Sequence, residues 1–321
     1  MEGSVTADGN VELSASNDLT LDGKVTAAGQ DLTLKAENGD IAQTDKGAIT
    51  ADTVTTVNGK SLLLENENNQ FNSINVNSGS DEPIAGDVRI KDNADTLTVA
   101  VAPGAAGNIS VQNLREDGTL SNEGDLTATG NISLDAKGDV TQAANTTISA
   151  GADVNLSSAA GSVAQETGAG VHAKNVTAVS AKDVDLQGAK NAFDALTVES
   201  ADADENTPLA GSVLVVNSAD TLELSVQPVV NGDIAVENTK ENGVLHVVSE
   251  ELRAKGDGTD GAKGSISLQS DGSLQTDAKL SAADDVNLTS VSGDVSINNN
   301  IYTGRSNALV IHAGGAVTEA A

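Results

Sequence analysis

Aliphatic residues alternate with small polar ones in short runs along the whole chain: Val11 and Leu13, Leu19 and Leu21, Leu32 and Leu34, Ile132 and Leu134, Val154 and Leu156, Val286 and Leu288. Period two predicts strands with one face buried and the other carrying Thr, Ser, Asp or Asn. The runs are about four or five residues long and are punctuated by NG, GD, DG, SG and GN pairs, which supply the positive-φ conformations that sharp corners need. No 3.6-residue periodicity persists for three turns, and Gly recurs too often to allow a helix.

The runs belong to a repeated phrase: glycine, small polar, aliphatic, any, Leu, any, Ala or Ser, then a second glycine, a second aliphatic and often Gln. It stands at Asp31–Gln43 (DLTLKAENGDIAQ), Gly130–Gln142 (GNISLDAKGDVTQ), Asp153–Gln165 (DVNLSSAAGSVAQ), Asp285–Ser296 (DVNLTSVSGDVS) and, more loosely, Leu309–Glu319. A larger block, Gly39 to about Leu120, recurs from Gly161 to about Leu245, with Phe71 answering to Phe193, Pro83 to Pro208 and Asn93–Pro103 to Ser218–Pro228. Similar strands recur about 20 residues apart, the perimeter of a triangular coil, whereas a hairpin array would set antiparallel neighbours across two-residue turns. A tandem array of immunoglobulin-like domains would show a period near 100 residues and no such subperiod. The expected fold is therefore all-β, a right-handed parallel β-helix (β-solenoid) of about 15 coils spanning residues 1–321 as one segment with an internal duplication. Strands stacked about 4.8 Å apart would make it a rod on the order of 70 Å long. Leu134, Val140, Leu156 and Val163 are expected in its aliphatic columns, and Asn and Asp at its left-handed corners.

Composition narrows the role. Two Phe, one Tyr, one Met and no Trp leave no aromatic core, and the absence of Cys removes disulfides and thiol chemistry. Leu, Ile, Val and Phe form roughly a quarter of the chain, near the level of about 20 % below which charged sequences are disordered, but a disordered chain has no reason to keep this rhythm. A formal charge of −30 disfavours nucleic acid and anionic membranes as partners and leaves basic partners and divalent cations. No run of 18 or more apolar residues is present, so direct membrane insertion is not expected, and Met1-Glu2-Gly3-Ser4 lacks the features of a signal peptide. The repeat starts and stops without polar end caps, so the chain reads as a section of a longer protein.

The phrase GNISLDAKGDVTQ and its copies resemble the repeats of filamentous haemagglutinin-like exoproteins, the large adhesins of Gram-negative bacteria exported by two-partner secretion. The likeness covers most of the chain and is carried by low-complexity β-helix repeats. The family's amino-terminal secretion domain carries an Asn-Pro-Asn signature, and that tripeptide does not occur here. The resemblance implies a non-enzymatic, monomeric stalk segment of a secreted or outer-membrane-associated adhesin, serving attachment or biofilm formation and virulence, with a surface receptor or glycan as partner. The alternative is a polysaccharide-binding or polysaccharide-cleaving β-helix protein, whose sites need clustered acids with basic or aromatic partners.

Candidate chemistry is sparse. His172 and His246 fall opposite Thr50 and Ser121 in the duplicated block, and His172, His246 and His312 all lack a second His or a Cys at zinc-ligand spacing. No catalytic residues and no cofactor are assigned. Calcium is the one ion considered, at Asp257 and Asp260 in the glycine loop Lys255–Gly264, which lacks EF-hand spacing. Asn108, Asn131, Asn155, Asn175 and Asn287 open N-x-[ST] sequons that the repeat grammar itself accounts for. Between Phe193 and Gly211 the second block gains three residues, which must lie in a loop outside the wall: Asn77–Ala85 in the first copy, Glu199–Ala210 in the second. Asp81 and Glu82, and Asp202, Asp204 and Glu205, are the candidate contacts there for a cation or a basic partner.

Overall fold

In a computed structural model, which describes residues 3–202, 207–227, 229–256 and 263–319, the chain is an all-β parallel solenoid of about 14 turns, one fewer than expected. It divides into two compact units, Met1–Asn155 and Leu156–Ala321, each holding one copy of the duplicated block. Every strand pairing described is parallel, and like stacks on like. In the first unit Leu19, Ile41, Leu62, Val88, Ile109 and Ile132 occupy one register position, each 7 % exposed or less. In the second, Val163, Val184, Val213, Ile234, Ile266 and Val286 form the matching column. Leu134, Val140, Leu156 and Val163 are all buried, as the alternation requires. The seven-residue strand Thr96–Ala102 turns a corner: its last five residues pair with Ser73–Asn77 and its first four with Thr119–Asn122. A shorter third wall, Val5–Thr6, Val25–Ala27 and Ile49–Ala51, closes the early coils.

The glycines do something other than what the turn pairs suggest. Among the described residues only Gly3, Gly29, Gly79, Gly104, Gly168, Gly256 and Gly264 have positive φ, with Asn58, Asp117, Asn145, Asn242 and Ser306 as the non-glycine cases. Most corners turn in ordinary backbone conformations. What they demand is closeness: the Gly107 N–H donates to Gly86 O at 3.1 Å and the Gly130 N–H to Gly107 O at 3.0 Å. A Cβ at Gly107 would stand 2.8 Å from Gly86 O, and one at Gly232 would stand 2.6 Å from Gly211 O, so glycines such as these stand where two coils touch backbone to backbone.

The described residues on either side bracket the place where the second block gains its three residues. Asn77 ends a strand as Glu199 nears the end of its own, while Ile84 and Leu209 bridge to Ala105 and Val230 and are only 2 % and 0 % exposed. The loops are thus shorter than expected, since these two aliphatics belong to the core, and the three additional residues fall before Leu209.

Candidate functional site

The small polar residue just before the strand, in most coils next to a glycine, builds a ladder along the corner. In the first unit the Asn108 N–H donates to Asp87 Oδ1 (2.9 Å), the Asn131 N–H to Asn108 Oδ1 (2.8 Å) and the Asp153 N–H to Asn131 Oδ1 (3.1 Å). In the second unit the Asp183 N–H donates to Ser162 Oγ (3.3 Å), Ser212 to Asp183 Oδ1 (2.8 Å), Asp233 to Ser212 Oγ (3.1 Å) and Ser265 to Asp233 Oδ1 (2.8 Å). Corner amides have no strand partner at this point, and a short side-chain acceptor one coil away satisfies each. This is the main work of the Asp and Asn that sequence reasoning assigned to left-handed corners. Asn108 and Asn131 are therefore corner residues, while Asn155, Asn175 and Asn287 lie on strands. Hydrogen bonding from the Asn108 N–H, and then the Arg89 guanidinium at 2.7 Å, hold the Asp87 carboxyl below the usual carboxylate range.

A second set of polar side chains is inside. Gln43 and Asn69 form a reciprocal amide pair, Gln43 Nε2 donating to Asn69 Oδ1 (2.8 Å) and Asn69 Nδ2 to Gln43 Oε1 (3.0 Å). Gln165 and Asn191 repeat it at 2.9 and 2.8 Å. The Gln that often closes the phrase thus acts as a staple: Gln43 Nε2 also reaches Gly47 O (2.6 Å), as Gln142 Nε2 reaches Thr146 O (3.0 Å). A further internal column runs Asn217, Asn238, Ser270, Ser290 in the second unit and Asp92, Asn113 in the first. Asn113 Nδ2 donates to Ala94 O and Thr119 O, Asn238 Nδ2 to Ala219 O and Val244 O, and Ser270 Oγ to Gly243 O. Asp92 is the carboxyl in this column. It is 0 % exposed, and burial pushes its pKa up to about 7. The duplicated block sets Asp92 against Asn217, a difference visible in the sequence, whereas the burial of the carboxyl is visible only in the fold.

Of the residues predicted to meet a partner, Asp81 and Glu82 stand exposed in the loop after Ser73–Asn77, which is laced by its own serines: Ser78 Oγ donates to Ser80 O (2.8 Å) and the Glu82 N–H to Ser80 Oγ (3.2 Å). Asp202 is exposed, its N–H on Ser200 Oγ at 3.3 Å. Asp204, Glu205, Asp257 and Asp260 lie outside the described residues. Among the described residues no three His, Cys, Asp or Glu side chains gather as a metal would require. His246 lies near the surface and meets Asp277 at 2.8 Å, and Asp277 also accepts from Asn298 (2.6 Å) and Gln275 (3.1 Å). The Asn298 bond foremost, then His246 and Gln275, hold the Asp277 carboxyl down to about 2. No sequence spacing announces this cluster, because its members are brought together only by coil stacking. His172 bonds the Lys190 carbonyl at 2.8 Å, and His312 projects from the outer face of Leu309–Ala313.

On the outer face of the first unit one register position carries a hydroxyl in five successive coils: Thr53, Ser73, Thr98, Ser121 and Thr141. No helix among the described residues is long and apolar enough to cross a membrane.

A family model described as repeats of unknown function (DUF5649) matches residues 8–77. Comparison with curated proteins and with solved structures returned no match.

Proposed function

We propose that this chain is a structural and adhesive segment, a stiff acidic solenoid that carries a binding region of a bacterial surface or secreted adhesin and offers contacts along its own flank. The observation that carries the reading is where the polar side chains go. The repeated Asp, Asn, Ser and Gln bond from one coil to the next, at the corner ladder and the amide pairs, so the phrase encodes a self-propagating scaffold. A scaffold of this kind gains length coil by coil without a new core each time. The hydroxyl row from Thr53 to Thr141 supplies a regular line of groups suited to hydrogen bonding with sugar hydroxyls.

The test is attachment. Beads coated with the purified chain should bind cells or a glycan panel saturably, with free chain competing. Binding to none of them overturns the adhesive part of the reading. Release of new reducing or unsaturated ends from acidic or neutral polysaccharides would replace it with the cleaving alternative.

A further inference from the structure

We propose that Asp92 makes the coil around Phe71 a pH-sensitive point of the first unit, loosening as a carboxyl buried where the second block has Asn217 becomes ionised. The two copies provide the comparison. In the second, Asn217 closes a two-way bond with the backbone of one residue: its Oδ1 accepts the Phe193 N–H (3.1 Å) and its Nδ2 donates to Phe193 O (3.0 Å). In the first, Asp92 Oδ1 accepts the Phe71 N–H (3.0 Å), but its second oxygen accepts the Ala94 N–H (2.7 Å). The amide answering to Ala94, that of Ala219, goes instead to Asn238 Oδ1 (3.1 Å). The carboxyl has therefore redirected the corner's hydrogen bonds, and its charged form is held by backbone N–H groups alone.

Among the described residues no cation offsets that charge. On its own strand Lys91 turns outward to Glu67 (3.7 Å), and in the turn after the neighbouring strand Ile109–Asn113 Arg115 pairs with Asp95. On the other side Leu62–Leu64 leads into Glu65 and Glu67, and the segment from Asn69 to Asn72 carries no ionisable group. Burial of the carboxyl in the wall favours its neutral form by more than the backbone N–H groups facing it favour the charged one, which agrees with a pKa of about 7. The sign follows: the folded value lies above the unfolded one, so the contribution of Asp92 is fully present below about pH 4, declines as pH rises to about 7, and is constant beyond.

Amide hydrogen exchange on the full chain reads this directly, with the second block as internal control. After correction for intrinsic rates, protection at the Phe71 amide should fall about fiftyfold between about pH 5 and pH 7, while that at Phe193 holds. Asp92→Asn should remove the fall, and Asn217→Asp should install it at Phe193, a second arm that stands if the first variant folds poorly. A wild-type profile equal in both copies, or a fall that survives Asp92→Asn, overturns the proposal, as does an Asn217→Asp chain whose Phe193 protection stays flat.

Discussion

At the scale of single residues, an aliphatic side chain here is held by the coils above and below it as much as by its own strand. Ile234 is fully buried between Val213 and Ile266. Truncation leaves a void that two neighbouring coils would have to close together, and a backbone tied at every corner resists that collapse. Ile234→Ala should therefore destabilise the second unit by about 2–5 kcal/mol, seen as a lower urea midpoint with an unchanged slope. A shift under about 1 kcal/mol would mean that the column repacks freely. The polar residues follow a different rule. Asn113 and Asn238 each satisfy two carbonyls, so Ala at either position would strand backbone groups inside the wall as well as remove a side chain.

At the scale of the coil, the alternation and the recurrence of about 20 residues sufficed for strand, parallel stacking and core, because both are properties of single side chains and their spacing. The corner did not yield as readily. Gly-Asp-Val or Gly-Asn-Ile reads locally as a turn with a left-handed residue, and only the neighbouring coil reveals that the glycine makes room and the Asp or Asn accepts an amide. The pair His246 and Asp277, 31 residues apart, was invisible for the same reason. Asp92 was legible in principle, as the one place where an inner Asn of the duplicate becomes an acid, but its burial needed the register. The corner reading also makes a direct prediction. Gly232 sits at negative φ, so Ala would suit its backbone conformation and should be neutral or stabilising if turn freedom were the reason for Gly. Close approach says the opposite: a Cβ 2.6 Å from Gly211 O must push two coils apart, so Gly232→Ala should cost about 1–3 kcal/mol. Chemical denaturation of that variant decides between the two, and an unchanged midpoint removes the close-contact account.

At the scale of the whole chain the decisive quantity is charge. The 47 acids outnumber the 17 Lys and Arg, and the ion pairs among the described residues are exposed or half-buried, such as Lys35 with Glu37 (3.3 Å) and Lys240 with Asp220 (3.7 Å). Exposed pairs contribute about 0–1 kcal/mol each and weaken in salt, whereas repulsion within a net charge of −30 is summed over the surface and is relieved by it. The second effect should win. Raising NaCl from about 0.01 to 0.1 M shortens the screening length from about 30 to about 10 Å, enough to decouple acids on separate coils while leaving the buried columns untouched. The melting temperature should rise by several degrees over that range, and a fall would mean that the few ion pairs outweigh the general repulsion. Replacing NaCl by CaCl2 at equal ionic strength separates screening from binding. Equal melting temperatures assign the whole effect to screening. A further rise with calcium that disappears when Asp81, Glu82 and Asp202 are changed to Asn or Gln would assign the difference to the acidic loops, as the sites where a cation or a basic partner makes contact.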